Sequence, residues 1–388
     1  MRPEEITPAT REILEAVRTL EPEIRAASAL IEAERKLPPA LAHKLMEAGV
    51  FRMGVPRIYN GWEIDPLGQV RVVEELSRIE GSVGWLSMIS SAGSFIAAFL
   101  DAETANRLFG NVDSVLAGQI RPPQRADIVD GGYRLSGTFH FASGSHHASV
   151  FTCGVVLYEN GAPRQYGRRP EFRVLLVPRA DVTLVDVWDT TGMRGTGSND
   201  FVVENVFVPS AHSTTMSRQV VAGPLYAFPP LFLVSHAGVP LGIARSALDF
   251  VEELCLKKAS SMPGVKLLRD DPAIQETIAS CEAQLGAARA YVYATLEDLW
   301  ATLCDGGKPS PLQRAQYRMM ITYSHEAAKR IVQTLYDLAA TSSIFRSGRL
   351  DRDLRDIMTA CQHRVVHLRM YRPAGRLLLG LESEEMMF

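Results

Sequence analysis

The sequence predicts an α+β fold that is mainly helical and consists of three consecutive blocks. Apolar residues recur at helical spacing through about the first 110 residues. Short runs that alternate apolar and polar residues follow, separated by turn signals such as Asp130-Gly131-Gly132. Helical periodicity then returns. These patterns predict an N-terminal helical domain over residues 1–113, a central antiparallel β domain over 114–212 and a C-terminal four-helix bundle over 213–388.

Composition excludes several classes of protein. Of 388 residues, 46% are apolar and 22% charged, as in ordinary globular proteins, and a net charge of −3 gives no basic field for nucleic acid. The N-terminal segment is acidic and amphipathic, unlike a signal peptide, and no uninterrupted apolar stretch reaches the ~18 residues of a membrane span. The five cysteines are scattered without a CxxC pair, which predicts free thiols. We therefore expect a cytoplasmic protein that binds neither nucleic acid nor membrane.

Helices are predicted in both outer blocks from apolar spacing and from proline and glycine breaks. In the N-terminal block they cover Thr10 to about Ile31, a segment through Met46, a segment opened by Pro66, and Trp85–Leu100, which is apolar nearly all round and therefore buried. In the C-terminal block they cover Leu233–Leu256, Pro272–Leu303, Pro311 to roughly Thr341, and Leu350–Leu381.

The stretch from Gly137 to Phe151 combines an alternating strand with a run of small residues. Gly144 lets the backbone approach a flat ligand closely. Ser143 offers a hydroxyl that donates or accepts, and Phe141 offers an aromatic face for stacking. An ordinary strand that ends in a bulge explains the same pattern equally well.

A second stretch, Trp188–Pro209, begins with a glycine-rich loop. Gly192, Gly195 and Gly197 precede a run of alternating β-branched residues, so the loop leads into a strand. A Rossmann or P-loop phosphate site requires a helix at that point, which excludes both. Backbone N–H groups and hydroxyls of this loop remain available to a ligand.

At these two stretches the sequence resembles the acyl-CoA dehydrogenase superfamily, and the resemblance extends over nearly the whole chain. Gly137, Phe141, Ser143 and Ser145 match the family's flavin-lining strand. Within the superfamily the chain is most similar to two-component flavin-dependent monooxygenases. The resemblance implies the family's three-block fold, a homotetramer, and reduced flavin (FMN or FAD) supplied by a separate NAD(P)H flavin reductase. It also implies a C4a-hydroperoxyflavin that oxygenates an aromatic or heteroatom-containing small molecule.

The resemblance also implies a set of flavin-binding residues. The family's Arg-x-x-Phe-Gly motif for pyrophosphate is absent here, and a lysine stands nearby instead. A tryptophan on a buried helix either packs under the flavin or belongs to the core. The cofactor-binding residues implied are Trp85, Phe141, Ser143, Gly144, Ser145, Gly195, Thr196, Gly197, Ser198 and Lys258.

Acyl-CoA dehydrogenases remove a proton with a glutamate, and both of its known positions lack one here. The stretch Ile357–His367, after Arg355-Asp356, contains no acidic residue, and the alternative position is Phe232. Proton abstraction requires a positioned base, so ordinary dehydrogenation is disfavoured. A dehydrogenase with a displaced base and a non-catalytic flavin-binding relative remain alternatives.

In the monooxygenases that the chain resembles, a histidine near that position acts on the substrate. His363 is the implied base, with Ser143 as a hydroxyl near the flavin N5. His363 and His367 are otherwise two polar residues on a bundle helix, and no third ligand accompanies them as a metal site requires. Some relatives carry a further histidine where this chain has Gly93, which leaves a roomier pocket. His146 and His147 either reach the cavity or cap an exposed edge.

Overall fold

The computed structural model describes residues 6–259 and 266–382, and its N-terminal block is helical as predicted. The fourth predicted helix, which begins at Gly81, continues from Phe95 to Phe99 as a 3-10 turn. A short fifth helix was not predicted. The five helices are α1 (Pro8–Glu34), α2 (Pro39–Glu47), α3 (Pro66–Ile79), α4 (Gly81–Ser94) and α5 (Ala102–Phe109).

Several helices begin at a short polar residue followed by proline, which explains why their N-termini were readable from sequence. The Asp65 carboxylate accepts a hydrogen bond from Gly68 N at 2.9 Å and caps α3. Ser310 caps a later helix and forms a reciprocal pair with Gln313. The proline that follows each cap lacks an N–H that the first helical turn would leave unpaired.

The central block is a sheet of eight strands, with a separate two-stranded hairpin. The order across the sheet is β10-β7-β3-β1-β2-β9-β8, with β4 paired to β3, while β5 and β6 pair only with each other. The strands are β1 (Leu116–Val129), β2 (Gly132–Ala142), β3 (Val150–Glu159), β4 (Ala162–Pro163), β5 (Gln165–Tyr166), β6 (Arg169–Pro170), β7 (Phe172–Pro178), β8 (Thr183–Val185), β9 (Asn199–Pro209) and β10 (Ser213–Thr214).

The sheet is mixed and not wholly antiparallel as the sequence predicted. β1 and β3 run parallel, with Leu116 opposite Val150, whereas the other neighbouring strands are antiparallel. The chain returns to β1 through the small-residue crossing after β2, so β3 enters the sheet from the same end as β1. This crossing begins at Ser143, which lines a cavity.

The C-terminal block contains three long helices, as predicted, and a fourth that is broken. The last predicted helix was continuous to Leu381, but it ends at Ala360 and the chain continues through two 3-10 turns. His363 therefore lies in an extended linker and not on a helix. The helices are α6 (Gly238–Lys257), α7 (Pro272–Cys304), α8 (Pro311–Ala339), α9 (Arg349–Ala360) and α10 (Tyr371–Leu378).

Two segments are long and apolar enough to cross a membrane, contrary to the expectation that none reaches that length. They are Gly81–Phe99 and Pro229–Lys257, and 89% of each is buried inside the protein. Burial on all sides explains their composition, because a helix at the centre of a large core needs no polar face. Both are core helices.

The three blocks meet at a buried carboxyl on α9. Met193 N, in the loop before β9, donates to Asp356 Oδ1 at 2.5 Å. Glu80, at the start of α4, pairs with Arg352 of α9 at 3.3 Å, and Arg352 also pairs with Glu32 of α1. Burial and the nearby Glu80 raise the pKa of Asp356 well above its ordinary value.

A second carboxyl of α9 is also enclosed. Ser246 of α6 donates to Asp353 at 2.9 Å, and Arg349 donates to the same serine. Burial raises the pKa of Asp353 to about 7, and the positive charge of Arg349 offsets only part of that shift. The folded protein therefore holds this carboxyl protonated over a range in which the unfolded chain ionises it.

We expect Asp353→Asn to stabilise the protein at pH 7.5 relative to the parent. A folded-state pKa raised above the unfolded value gives stability that is present at low pH and lost between about pH 4 and pH 7, by up to about 4 kcal/mol. The difference in free energy of unfolding between variant and parent should therefore grow from pH 5 to pH 7.5, as measured by urea denaturation. A constant difference over that range would contradict a protonated Asp353.

Candidate active site

A cavity of about 670 Å³ lies where the three blocks meet. Its walls are mostly apolar, and histidine, arginine and hydroxyl side chains supply most of its polar groups. Ligand sites of small-molecule enzymes have this size and character. The residues that line it are Trp85, Ile89, Ala92, Gly93, Ile96, Leu116, Ala117, Gly118, Gln119, Ile120, Arg121, Pro123, Phe141, Ser143, Thr152, Val156, Arg169, Pro170, Phe172, Met216, Phe232, Leu233, His236, Arg318, His363, Arg364, Val365 and Met370.

Ser143 stands at the end of a chain of three buried hydroxyls. Its Oγ lies 2.7 Å from Ser198 Oγ, which in turn lies 2.6 Å from Thr196 Oγ1. Thr196 donates to Met193 O at 2.8 Å, and Trp85 Nε1 donates to Ser143 Oγ at 3.1 Å. The glycine-rich loop and the end of β2 are thereby joined through side chains that the sequence singled out separately.

The direction of these hydrogen bonds determines what Ser143 offers to a ligand. Each hydroxyl has one proton, and Thr196 uses its own on Met193 O. Ser198 then donates to Thr196, and Ser143 donates to Ser198. In this arrangement Ser143 presents a lone pair to the cavity, so it accepts a hydrogen bond and does not donate one.

Phe141 occupies a strained backbone position at the mouth of the cavity. Its φ is +60°, which bulky residues rarely adopt, and 69% of the residue is exposed. Its ring meets Trp188 edge-on at 6.3 Å. Strained non-glycine residues concentrate at ligand sites, and an exposed aromatic face suits stacking against a flat ring.

The other residues of the two glycine-rich stretches shape the loops and do not reach the cavity. Ser145 is fully buried and donates to Gly197 O at 2.8 Å. Gly144 and Gly197 have positive φ, and Gly144 N donates to Thr196 O. A side chain at Gly195 would collide with Ile31 of α1, so this glycine serves the contact between domains.

Three imidazoles and a guanidinium form a cluster at the end of the cavity, in which His363 is half-buried and the other three residues are buried. The ring centroid of His363 lies 5.3 Å from that of His236 and 5.5 Å from that of Trp85. His325 and Arg318, both on α8, complete the cluster. Nδ1 of His236 lies 3.1 Å from Leu233 O, while the Nδ1 of His363 has no hydrogen-bond partner among the described residues.

The cluster keeps its imidazoles neutral. Burial, and then the positive charge of Arg318, lower the pKa of His363 to about 4. Burial also lowers the pKa of His325 to about 4, and it lowers the pKa of His236 well below its ordinary value. A neutral imidazole at physiological pH is ready to accept a proton.

The structure does not bring every predicted residue to the cavity. Lys258 lies outside the lining and its Nζ donates to Ser342 Oγ at 2.5 Å. His367 is exposed, and its Nδ1 accepts from Arg369 N. His146 contacts Asn199 at 3.0 Å, beside the glycine loop and outside the lining. His147 is also absent from the lining, and burial lowers its pKa to about 4.

The sequence analysis missed three members of the cluster as site residues, Arg318 and the two histidines His236 and His325. Both histidines lie within segments whose apolar spacing predicts only a buried helix. The spacing therefore predicts the helix but does not identify the polar residues within it. The sequence contains one signal that could have identified such a residue, namely a single titratable residue inside an apolar run, as in the segment from Leu231 to Leu241.

Residues 6–259 and 266–382 contain no group of three metal-ligating side chains arranged to hold a metal ion.

Comparison with known proteins places this geometry in a family. Residues 7–111 match the model for the acyl-CoA dehydrogenase N-terminal domain, and residues 234–368 match that for the acyl-CoA dehydrogenase C-terminal domain. The chain is 30% identical over 378 residues to an indole-3-acetate monooxygenase of Pseudomonas putida, covering 96% of this chain and 94% of that one. The chain belongs to the flavin-dependent monooxygenase branch of the acyl-CoA dehydrogenase superfamily.

Two further relatives of this monooxygenase support the assignment. An FADH2-dependent resorcinol hydroxylase, oxygenase component, of Rhizobium sp. is 28% identical over 381 residues, covering 93% of this chain and 92% of that one. The crystal structure of a 3-HSA hydroxylase from Rhodococcus sp. RHA1 superposes with a TM-score of 0.88 at 26% identity and covers 97% and 99% of the two chains. The superfamily, the fold and the flavin-dependent oxidoreductase class predicted from the sequence are confirmed.

The residues of the monooxygenase cavity fit a reduced flavin. Ser143 presents an acceptor, which suits an N–H group of the reduced ring. Phe141 presents an exposed aromatic face, and the volume admits a tricyclic ring system beside a small substrate. When bound, the flavin supplies electrons and the activation of oxygen, while the protein supplies orientation and shielding from water.

We expect Ser143→Ala to uncouple oxygen consumption from substrate oxygenation. Loss of one hydrogen bond to the cofactor should cost ~1–3 kcal/mol and increase the hydrogen peroxide released per reduced flavin consumed. Ser198→Ala should have a smaller effect of the same kind, because it removes only the group that orients the Ser143 hydroxyl. Peroxide and product are measured together after mixing with reduced flavin. Unchanged peroxide release in Ser143→Ala would exclude this residue from the cofactor site.

Proposed function

We propose that this monooxygenase is the oxygenase component of a two-component system and that it hydroxylates an aromatic substrate bearing an acidic group. A separate NAD(P)H flavin reductase would supply the reduced flavin. The name of the Rhizobium relative, an FADH2-dependent oxygenase component, supports a system with more than one component. The charge of the cavity lining carries the substrate proposal.

Four arginines line the cavity, and its described lining contains no aspartate or glutamate. Arg121 lies 4.6 Å above the ring of Phe172, and burial together with the neighbouring Arg364 lowers its pKa. Arg169 and Arg318 contribute the other two charges. An excess of cations in a partly enclosed space favours an anionic ligand. The Pseudomonas putida relative carries the name of a substrate with both features, an indole ring and a carboxylate.

His363 is the proposed base. Its neutral ring lines the cavity and adjoins Trp85, so it is placed to take a proton from the substrate's hydroxyl or ring N–H as oxygen is transferred. A dehydrogenase is disfavoured because no carboxylate faces the cavity in the described lining. Phe232, at one family position of the glutamate, contributes only apolar surface there.

The proposal predicts oxygen-dependent product from the wild-type protein, reduced flavin and indole-3-acetate, and less product from indole, which lacks the carboxylate. His363→Ala should lower product formation ~100-fold and leave oxygen consumption nearly intact. His363→Asn should fall between the two. Chromatography of products, with peroxide measured in parallel, separates a failure of chemistry from a failure of flavin binding.

His367→Ala is the matched control, because His367 is exposed and lies outside the cavity lining. Its product yield should stay close to the parental one. Parental yield in His363→Ala would refute the role of His363. Equal yields from indole and indole-3-acetate would refute the anionic substrate.

The homotetramer implied by the resemblance is also proposed. The C-terminal block exposes several large apolar side chains, which a subunit interface would cover. They include Ile344, Phe345, Leu368, Leu378, Leu379 and Leu381. Light scattering should give about four times the chain mass of 42.7 kDa. A mass of one chain at micromolar concentration would contradict the proposal.

A further inference from the structure

Strand β1 contains a bulge at the cavity wall. Between two regular stretches of pairing with β3, residues 120–123 stand opposite Gly154 alone. Pro122 and Pro123 have no N–H to donate to a neighbouring strand, which explains why the pairing is interrupted here. Bulges redirect side chains and are common beside active sites, and this one carries Arg121 into the cavity lining.

The backbone of the bulge is fixed on both sides. The buried side chain of Gln119 donates from Nε2 to Arg121 O at 3.1 Å, and its Oε1 accepts from His140 N at 2.7 Å. This side chain therefore ties the bulge to β2. A Cβ atom at Gly154 would lie 1.9 Å from Ile120 O, so only glycine permits the bulge to approach β3 this closely. Arg121 thus starts from a defined backbone position.

The side chain of Arg121 is also oriented. Its guanidinium carbon lies 4.6 Å from the centroid of the Phe172 ring. Stacking on an aromatic ring occupies the flat face of a guanidinium and leaves its N–H groups directed outward along the edge. Two N–H groups on one edge match the two oxygens of a carboxylate.

A second arginine approaches the same part of the cavity from the C-terminal block. Arg364 begins the 3-10 turn Arg364–Val366, and Arg318 holds that turn by donating to Val365 O. Among the residues that the structure describes, no hydrogen bond or ion pair engages the Arg364 side chain. Burial, and then the charge of Arg364, lower the pKa of Arg121, so the two positive charges act on each other. An anion between them would replace this repulsion by two attractions.

We propose that Arg121 and Arg364 together bind the carboxylate of the aromatic substrate. This inference rests on the proposed function, in which the substrate bears an acidic group. The other two arginines of the lining are less suited, because Arg318 holds the linker backbone and Arg169 lies on the separate hairpin. Since His363 directly precedes Arg364, one short segment carries both the proposed base and a group that binds the acid. The arginine pair therefore sets which end of the substrate lies near the base.

The test compares indole-3-acetate with indole-3-acetamide, which has nearly the same shape and no charge. Anaerobic calorimetry with reduced flavin present measures both dissociation constants without turnover. The parent should bind the acid more tightly than the amide. Arg121→Gln and Arg364→Gln should each weaken binding of the acid roughly 10- to 100-fold, as expected for loss of a charge-assisted hydrogen bond, and leave binding of the amide nearly unchanged. Arg121→Lys should fall between parent and Arg121→Gln, because it keeps the charge and loses the paired N–H groups.

Arg125→Gln is the matched control. Arg125 is also on β1 and also stacks on an aromatic ring, 4.4 Å from the centroid of Tyr158. It differs because it pairs with Asp127 at 2.6 Å and lies outside the cavity lining. Its affinity for both ligands should equal that of the parent.

Three results would overturn the inference, and they separate it from the proposed function. A parental preference for the acid in both Arg121→Gln and Arg364→Gln would refute the arginine pair and leave the anionic substrate intact. A loss of affinity for reduced flavin, with the preference for the acid retained, would assign the pair to the flavin phosphate instead. Equal affinity of the parent for acid and amide would refute the anionic substrate itself, and the arginine pair with it.

Discussion

The hydrogen bond from Met193 N to Asp356 Oδ1 positions the catalytic end of the molecule. It fixes the loop before β9 against α9, and the same loop carries Thr196 and Ser198. Two glycines permit the close approach, since a side chain at Gly81 would meet Asp356 itself and one at Gly192 would meet the backbone of α9. The bundle thus orients the hydroxyl of Ser143 through a series of hydrogen bonds. The series runs from Met193 through Thr196 and Ser198 to Ser143.

A buried carboxylate carries a desolvation penalty, and this fold keeps its buried carboxyls out of the cavity wall. The carboxyls of Asp353 and Asp356 are absent from the cavity lining and serve the contact between blocks, whereas the lining itself contains imidazoles and arginines. Neutral imidazoles avoid the desolvation penalty of a buried carboxylate and still accept protons. In this chain the described lining of the cavity accordingly contains two histidines and no carboxylate.

Much of the fold was readable from sequence because it depends on local signals. Proline after a short polar residue marked helix starts, and period-two runs marked strands. The parallel pairing of β1 with β3 was not readable, because pairing depends on which strands meet after the chain crosses. The end of α9 at Ala360 was missed because the apolar spacing continues through its 3-10 turns. Of the site, Ser143 and His363 came from the family resemblance, while His236 required a distance between helix ends that no local pattern records.

The small hairpin of β5 and β6 contributes to the cavity wall without belonging to the eight-stranded sheet. It pairs only with itself, yet its second strand supplies Arg169 and Pro170 to the cavity. Replacing Gln165–Pro170 by another turn would remove no strand pairing from the eight-stranded sheet. We therefore expect related enzymes to differ in this segment and, through it, in the substrates they bind. An engineered loop at this position would change the cavity wall and leave the sheet unchanged.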